Sequence, residues 1–317
     1  MNNMKLTVSA APHITGKDSS RSIMLDVIIA MIPALIAAGV IFGLRAVILT
    51  AVTVVSSVVF EYVWNKLMKK EQTVGDLSAV VTGMLLAFNM PSTLPYWMAV
   101  VGAAFAILMV KQLFGGIGYN FANPAITARI ILATSFAGAM TSFTHPTQSI
   151  DAIAAATPLA ANAAGAFAEG GAPYMTMFLG MHGGVLGETS ALALLIGFVY
   201  LLIKKVISPA IPVTYVATVA VLAVLFGQDP LVHVLGGGLL LGAIFMATDY
   251  VTSPYTLKGK IVFGLGLGLI TMMIRVFGTM TEGVSYAILL MNLFVPYINQ
   301  LTRQKPLGAP KKVKEAK

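Results

Sequence analysis

Long apolar stretches recur along the whole chain and constrain its fold more than any other feature. Ten of them have about the 20 residues that a bilayer-spanning helix needs, and they lie near residues 23–43, 46–63, 77–90, 95–113, 121–139, 184–203, 210–227, 231–248, 260–277 and 283–301. Only 10% of the residues are charged, whereas a soluble domain carries about 25%. The sequence therefore predicts an all-α membrane protein with about ten transmembrane helices.

The first apolar stretch is interpreted as a membrane helix rather than a secretory signal. Its apolar run is too long for a signal peptide. The residues before it are mostly polar, and they contain no clear cleavage site. Residues 1–22 are accordingly predicted to form a polar N-terminal segment.

Lysine and arginine residues are unevenly distributed between the two sides of this arrangement. With ten spans both ends of the chain share a side, and 17 of the 20 basic residues then fall on that side, the exceptions being Arg45, Arg129 and Arg275. Positive residues concentrate in cytoplasmic connections. We therefore predict cytoplasmic termini and an extracytoplasmic loop at residues 140–183.

The net charge of +8 could suggest a nucleic-acid partner. However, the basic residues lie at the predicted cytoplasmic edge and in the tail at residues 302–317, where anionic lipid head groups are the nearer partner. The sequence thus favours membrane lipid and argues against nucleic acid.

The chain contains no cysteine. It therefore lacks the ligands for an iron–sulfur cluster and the attachment site of a c-type haem, and we predict no metal site. If this chain carries electrons, an organic cofactor must hold them.

Two polar, helix-breaking segments occupy corresponding positions in the third and eighth apolar stretches. Residues 83–95 and 242–254 align at one constant offset with Gly, Thr and Pro in common. Transporter-like folds are often built from two such halves. We predict five-helix repeats at residues 23–139 and 184–301, which are inverted because five is odd.

Polar side chains at these breaks are candidates for an ion path. Backbone groups freed by a broken helix at membrane depth need partners in protein, water or ligand, and Asn89, Asp249, Thr252 and Ser253 lie at such points. The alternative is that these residues form ordinary turns at the membrane surface.

A glycine-rich segment at residues 115–125 precedes the fifth stretch. In it, Asn123 before Pro124 is typical of a helix N-cap followed by the first helical residue. Glycines before a helix also let backbone N–H groups approach a polar ligand, although such turns precede many ordinary helices.

Charged residues within the apolar stretches are few. Arg129 lies inside the fifth stretch, where a charge is expensive enough to be paired or functional. Glu188, near the outer start of the sixth stretch, faces either a cavity or water. We add Arg129 and Glu188 to the ion-path candidates, whereas Asp26 and Glu61, near span ends, are less informative.

The outer loop at residues 140–183 is longer than most connections, which indicates function or disorder. Thr157 precedes Pro158, and a residue before proline is pushed toward extended backbone. The small residues at 152–156 would let another molecule approach Thr157 closely.

This part of the loop resembles a flavin-attachment motif. Asp151, five further residues and Thr157 are similar to the pattern Asp-x-x-(Ser/Thr)-Gly-Ala-Thr of proteins that carry FMN in phosphoester linkage to threonine. Ala154 and Ala155 depart from that pattern.

The loop, residues 115–125, residues 187–190 and residues 246–250 together resemble the D subunits of Rnf ion-translocating ferredoxin:NAD oxidoreductases over residues 5–302. The B subunits of sodium-translocating NADH:quinone oxidoreductases are similar but carry a longer N-terminal part. The resemblance implies a bacterial or archaeal cytoplasmic membrane and the other Rnf subunits as partners.

The resemblance also implies cofactors. FMN would be attached to Thr157 by a separate flavin transferase that recognises Asp151, and riboflavin would bind in the membrane part near Asn120 and Asn123. The chain would then be one component of a redox-driven translocase of Na⁺ or H⁺, not catalytic alone.

Two other functions stay open on the residues alone. A fold with inverted halves also suits a stand-alone transporter or channel, and a cofactor-free scaffold for redox partners is the third possibility.

Overall fold

The computed structural model describes residues 19–143, 156–164, 173–278 and 282–304. Within these ranges the chain is helical and contains no β-strand. Its α-helices are α1 (Ser20–Phe42), α2 (Leu44–Leu67), α3 (Ser78–Phe88), α4 (Tyr96–Ala104), α5 (Pro124–Ser135), α6 (Ala137–Met140), α7 (Pro158–Ala163), α8 (Tyr174–Leu179), α9 (Ala191–Ile203), α10 (Ala210–Leu225), α11 (Pro230–Leu235), α12 (Leu239–Leu241), α13 (Leu257–Phe277) and α14 (Val284–Thr302).

Four of the described helices, α1, α2, α13 and α14, are long and apolar enough to cross a membrane by length and composition. The other apolar stretches coincide with shorter or irregular helices. Thus α4 continues as a π-helix over Phe105–Gln112, and α12 continues as a π-helix over Gly242–Met246. The chain is therefore a helical, multi-pass membrane protein, as the sequence predicted.

Polar N-caps set the starts of several helices. The side-chain oxygen of the N-cap accepts a backbone N–H of the first turn, and this pattern holds for Ser19 at α1, Asn123 at α5, Thr157 at α7, Ser190 at α9, Asp229 at α11 and Thr256 at α13. The predicted cap at Asn123, with Pro124 as the first helical residue, is confirmed.

Small residues allow close contact between helices. At Gly83 in α3, a Cβ atom would lie 2.8 Å from the Cα atom of Val54 in α2. Membrane helices approach each other most closely where one presents a small residue. Gly83 therefore fixes the α2–α3 contact.

We expect Gly83→Ala to lower the thermal unfolding midpoint of the purified chain, because overpacking costs about 1–3 kcal/mol. Gly75 is a matched control, since nothing lies within 4 Å of the position of its Cβ. Equal midpoints for Gly83→Ala and Gly75→Ala would contradict this account of the packing.

The third apolar stretch breaks at Asn89, the C-cap of α3. Carbonyl groups freed there find partners in another part of the chain: Gly187 N donates to Phe88 O at 2.9 Å, and Leu186 N donates to Met90 O at 3.0 Å. Asn89 Nδ2 donates to Leu85 O at 2.7 Å. The break is thus held by backbone bonds from the segment that precedes α9.

A second break follows the π-helix that ends at Met246. Asn123 Nδ2 donates to Met246 O at 3.4 Å. With its amide oriented to satisfy its neighbours, Asn292 donates to Thr252 O at 3.0 Å and accepts from Asn123 N at 3.1 Å. Asn89 Nδ2 lies 3.6 Å from Met246 Sδ, so the two breaks meet.

Candidate functional site

Thr157 lies at the start of α7 with extended backbone (φ −66°, ψ 153°), as its position before proline predicted. Its Oγ1 accepts from Ala160 N at 3.3 Å. The residue is only 6% exposed, yet it lines a cavity of about 310 Å³. Thr157 therefore lines a partly open cavity, which we call the Thr157 cavity. Asp151 lies outside the described residues.

The Thr157 cavity is formed mainly by α5, α6 and the start of α14. Its lining is mostly apolar with a few polar groups, and consists of Arg129, Ile130, Ala133, Ala137, Met140, Thr141, Phe143, Thr157, Glu282, Gly283, Ser285 and Tyr286. Cofactor sites typically combine apolar walls with a small number of placed polar groups. This composition suits a flat organic ring with polar edges.

Arg129 supplies the positive charge on the wall of this cavity. The side chain is buried, and its Nη1 donates to Ser285 Oγ at 2.6 Å. It also forms an ion pair with Glu282. The structure thus places Arg129 in an ion pair and on the wall of a cavity, while its functional role stays a prediction.

Arg275 stabilises the same region from α13. Its Nη1 donates to His233 O at 2.5 Å, and its Nε donates to Glu282 O at 3.0 Å. A third bond joins Nη2 to Gly236 O at 3.3 Å. Arg275 therefore ties the end of α11 to the residue that pairs with Arg129.

Glu188 is buried, at 3% exposure, rather than facing water. Its Oε1 accepts from Val185 N at 3.3 Å. Its Oε2 has no hydrogen-bond partner among the described residues. The same segment bonds to the end of α3, so Glu188 lies beside the helix break.

A second cavity, of about 250 Å³, contains three of the other predicted site residues. Asn120, Asn123 and Asp249 line it together with Ser78 and Lys111. We call it the Asn120 cavity. The structure thus brings the polar residues of the glycine-rich segment together with an acid from the second helix break.

Two of these side chains are engaged in local structure. Asn123 Oδ1 accepts from Ala125 N at 3.0 Å and from Ile126 N at 3.3 Å, so its oxygen caps α5. Asn120 Nδ2 donates to Ala122 O at 3.0 Å. Asn123 therefore shapes the cavity wall, and its oxygen is already used.

Asp249 and Asn89 differ in position. Asp249 Oδ2 accepts from Thr252 Oγ1 at 3.0 Å, and Asp249 lines the Asn120 cavity. Asn89 is buried between the two breaks. Neither cavity contains Asn89, which instead packs between the broken helices.

A buried ion pair lies near this cavity and was not predicted from the sequence. Lys111 Nζ lies 2.7 Å from Glu61 Oε2, with side-chain exposures of 4% and 0%. Lys111 Nζ also donates to Ser78 Oγ at 2.6 Å, and Thr73 Oγ1 donates to Glu61 Oε1 at 2.5 Å. Glu61 stands near a span end, and no local pattern indicates its partner.

Among the residues that the structure describes, no group of three or more His, Asp or Glu side chains is placed to hold a metal ion. The two cavities, with the buried charges beside them, are places where a cofactor could be held.

Comparisons with known proteins agree in their result. A family model described as the NQR2, RnfD, RnfE family matches residues 7–308. The D subunit of the Na(+)-translocating ferredoxin:NAD(+) oxidoreductase complex of Acetobacterium woodii is 52% identical, with 100% of both chains covered.

Two other relatives are similar over nearly their whole length. The D subunit of the proton-translocating ferredoxin:NAD(+) oxidoreductase complex of Clostridium ljungdahlii is 39% identical, covering 95% of this chain and 96% of its own. The D subunit of an ion-translocating oxidoreductase complex of Escherichia coli is 33% identical, covering 96% of this chain and 99% of its own.

Proposed function

The chain belongs to the NQR2, RnfD, RnfE family, and on that premise we propose that it is the D subunit of an ion-translocating ferredoxin:NAD oxidoreductase complex. Full-length similarity to relatives that carry this name supports the assignment. The chain then acts with the other subunits of the complex, which transfer electrons between ferredoxin and NAD and move Na⁺ or H⁺ across the membrane.

Within that complex, Thr157 carries FMN through a phosphoester. The single observation that supports this best is that Thr157 lines a cavity with apolar walls and a buried arginine. FMN supplies one- and two-electron chemistry when bound. The apolar residues would exclude water from its ring, while Arg129 and Ser285 would offer hydrogen-bond donors.

Attachment requires a flavin transferase, because a threonine hydroxyl without a neighbouring base is a weak nucleophile. Asp151 is the proposed recognition residue for that enzyme. Since Thr157 is only 6% exposed, we expect the transferase to act before residues 156–164 pack against the helices.

The Asn120 cavity is the proposed site of a second, noncovalent flavin such as riboflavin. Its volume of about 250 Å³ and its polar groups support binding of a ring system. Asn120 would contact the ligand directly, whereas Asn123 would fix the wall by capping α5.

We further propose ten spans in two inverted halves, at residues 23–139 and 184–301, with cytoplasmic termini and Thr157 outside. The contact between the break at Asn89 and the break at Met246 supports this arrangement. The segment at 140–183 would then be the outer loop that carries FMN, and the tail at 302–317 would lie against anionic lipid.

The ion path is proposed to involve Asn89, Asp249, Arg129 and Glu188.

Asp249→Asn is expected to lower the rate of ion transport in the assembled complex severalfold and to leave flavin attachment intact, because it removes a charge but keeps the size. Transport into membrane vesicles measures this effect. Asp26→Asn, in a partly exposed pair with Lys204, is the control. An unchanged transport rate in Asp249→Asn would remove Asp249 from the path.

The flavin proposal is tested by producing the chain with and without a flavin transferase. We expect yellow fluorescence on this polypeptide in a denaturing gel only when the transferase is present. A cofactor-free transporter or scaffold would give no fluorescence in either case, so a dark band would contradict the proposal.

A further inference from the structure

Glu188 is a buried acidic residue that the proposed function places on the ion path without saying what it binds. It is 3% exposed, and its Oε2 has no hydrogen-bond partner in the described parts of the chain. A buried carboxylate oxygen without a hydrogen-bond partner is costly, and neutralisation relieves the cost. The site therefore calls for a group that binds to this oxygen.

Other unpartnered polar atoms lie in the same segment. His182 Nε2 and Thr189 Oγ1 are buried and likewise have no hydrogen-bond partner among the described residues. Met181, next to His182, is 62% exposed. The exposed Met181 and the buried Glu188 thus lie in one short segment.

Three charged or titratable side chains act on Glu188, and a fourth pairs with one of them. Arg129 on α5, Arg275 on α13 and His182 act on it electrostatically, and Glu282 pairs with Arg129. The two arginines and the two glutamates balance when both carboxylates are ionised. A proton on Glu188 would leave this group with one excess positive charge.

Arg129 connects Glu188 to the Thr157 cavity. The guanidinium lines that cavity. At Gly238, a Cβ atom would lie 3.2 Å from Glu188 Oε2 and 3.8 Å from Arg129 Nη1. One glycine therefore separates the free carboxylate oxygen from the cation on the cavity wall.

Negative charge added to a cavity of low dielectric needs a nearby positive charge. Arg129 and Arg275 are balanced by Glu188 and Glu282 when both carboxylates are ionised, so they provide none in excess. We propose that Glu188 binds one proton from the outer side for each electron that enters the Thr157 cavity. This inference rests on the proposed function.

The step balances in charge and atoms. One electron arrives from another one-electron carrier of the complex, and one solvent proton forms an O–H bond at Glu188 Oε2. The electron and the proton both leave again when the electron is passed on from the cavity. Protonation of Glu188 removes one of the two negative charges that balance Arg129. The positive charge of Arg129 can then stabilise the added electron.

A proton fits this position better than a metal cation. Hard cations take about six oxygen ligands, whereas the unpartnered side-chain oxygens described in this segment are those of Glu188 and Thr189. The two neighbouring guanidinium groups also disfavour a second fixed cation.

Redox-induced infrared difference spectroscopy on the purified, flavin-loaded complex tests the proposal. We expect a carboxylic-acid C=O band that appears on reduction, shifts in D₂O and is lost in Glu188→Gln. Glu71→Gln, at an exposed carboxylate, should retain the band. A reduced spectrum without this band, or carboxylate bands that respond to Na⁺ instead of D₂O, would overturn the proposal.

A second variant keeps the carboxyl group. Gly238→Ala would place a methyl group beside Glu188 Oε2, so the acid band should shift rather than vanish; an unmoved band would count against the inference. The gel fluorescence of each preparation distinguishes failure of the proposed function from failure of the proposed role of Glu188. A dark chain refutes the proposed function, whereas a fluorescent chain without the acid band refutes the role of Glu188 alone.

Discussion

Thr157→Val is expected to yield a folded chain with no covalent flavin. Valine keeps the size of the side chain and removes the hydroxyl that the phosphoester requires. The substitution also removes the hydrogen bond from Ala160 N, and loss of such a cap costs about 1 kcal/mol. The expected result is a complete loss of gel fluorescence from a chain that still purifies normally.

Two controls separate attachment from packing. Thr157→Ser retains a hydroxyl and should retain part of the fluorescence. Thr141→Val alters another threonine of the same cavity and should retain all of it. Fluorescence on the Thr157→Val band at the wild-type level would show that the flavin is attached elsewhere.

Breaking the buried pair of Glu61 and Lys111 is expected to produce the largest change in stability. Lys111→Met leaves the Glu61 carboxylate, 0% exposed, without its cation. Removal of one partner from a buried pair costs about 3–5 kcal/mol, because a buried charge is left uncompensated. We expect a large fall in the thermal unfolding midpoint of the purified chain in detergent.

The double variant Glu61→Gln with Lys111→Met tests this explanation. It removes both charges together, so it should recover most of the lost stability. Lys204→Met is the matched control, since the Lys204 side chain is 50% exposed and exposed pairs contribute at most about 1 kcal/mol. A double variant no more stable than Lys111→Met alone would mean that the charges themselves do not determine the effect.

Much of the fold followed from the sequence because its signals are local. The cap at Asn123, the extended backbone at Thr157 and the break after α3 each depend on a few neighbouring residues. Apolar length alone identified the helical stretches. The family resemblance, which rested on short motifs, is confirmed over residues 7–308.

Irregular helices were not predicted. The π-helical stretch over Phe105–Gln112 has the same apolar character as a regular helix, so hydropathy does not distinguish the two. Lys111 lies on this stretch, and its ion-pair partner Glu61 lies 50 residues earlier in the chain. No local pattern therefore indicates the pair.

The charges around the candidate site were predicted separately but not as pairs. Arg129 and Glu188 were both singled out from the sequence, whereas Glu282 was not, since it lies 153 residues from Arg129. Contacts across such distances depend on tertiary packing, and one sequence contains no local signal for them. The cavity that Thr157 and Arg129 both line also depends on tertiary packing, so the sequence did not predict it.

Covalent attachment of a flavin to Thr157 is tested most directly by mass spectrometry of the chain produced together with a flavin transferase. We expect an intact mass larger than that of the amino acids by one phosphoester-linked FMN, with fragmentation placing the addition on Thr157. A mass equal to that of the unmodified chain, or an addition located on another residue, would contradict this attachment.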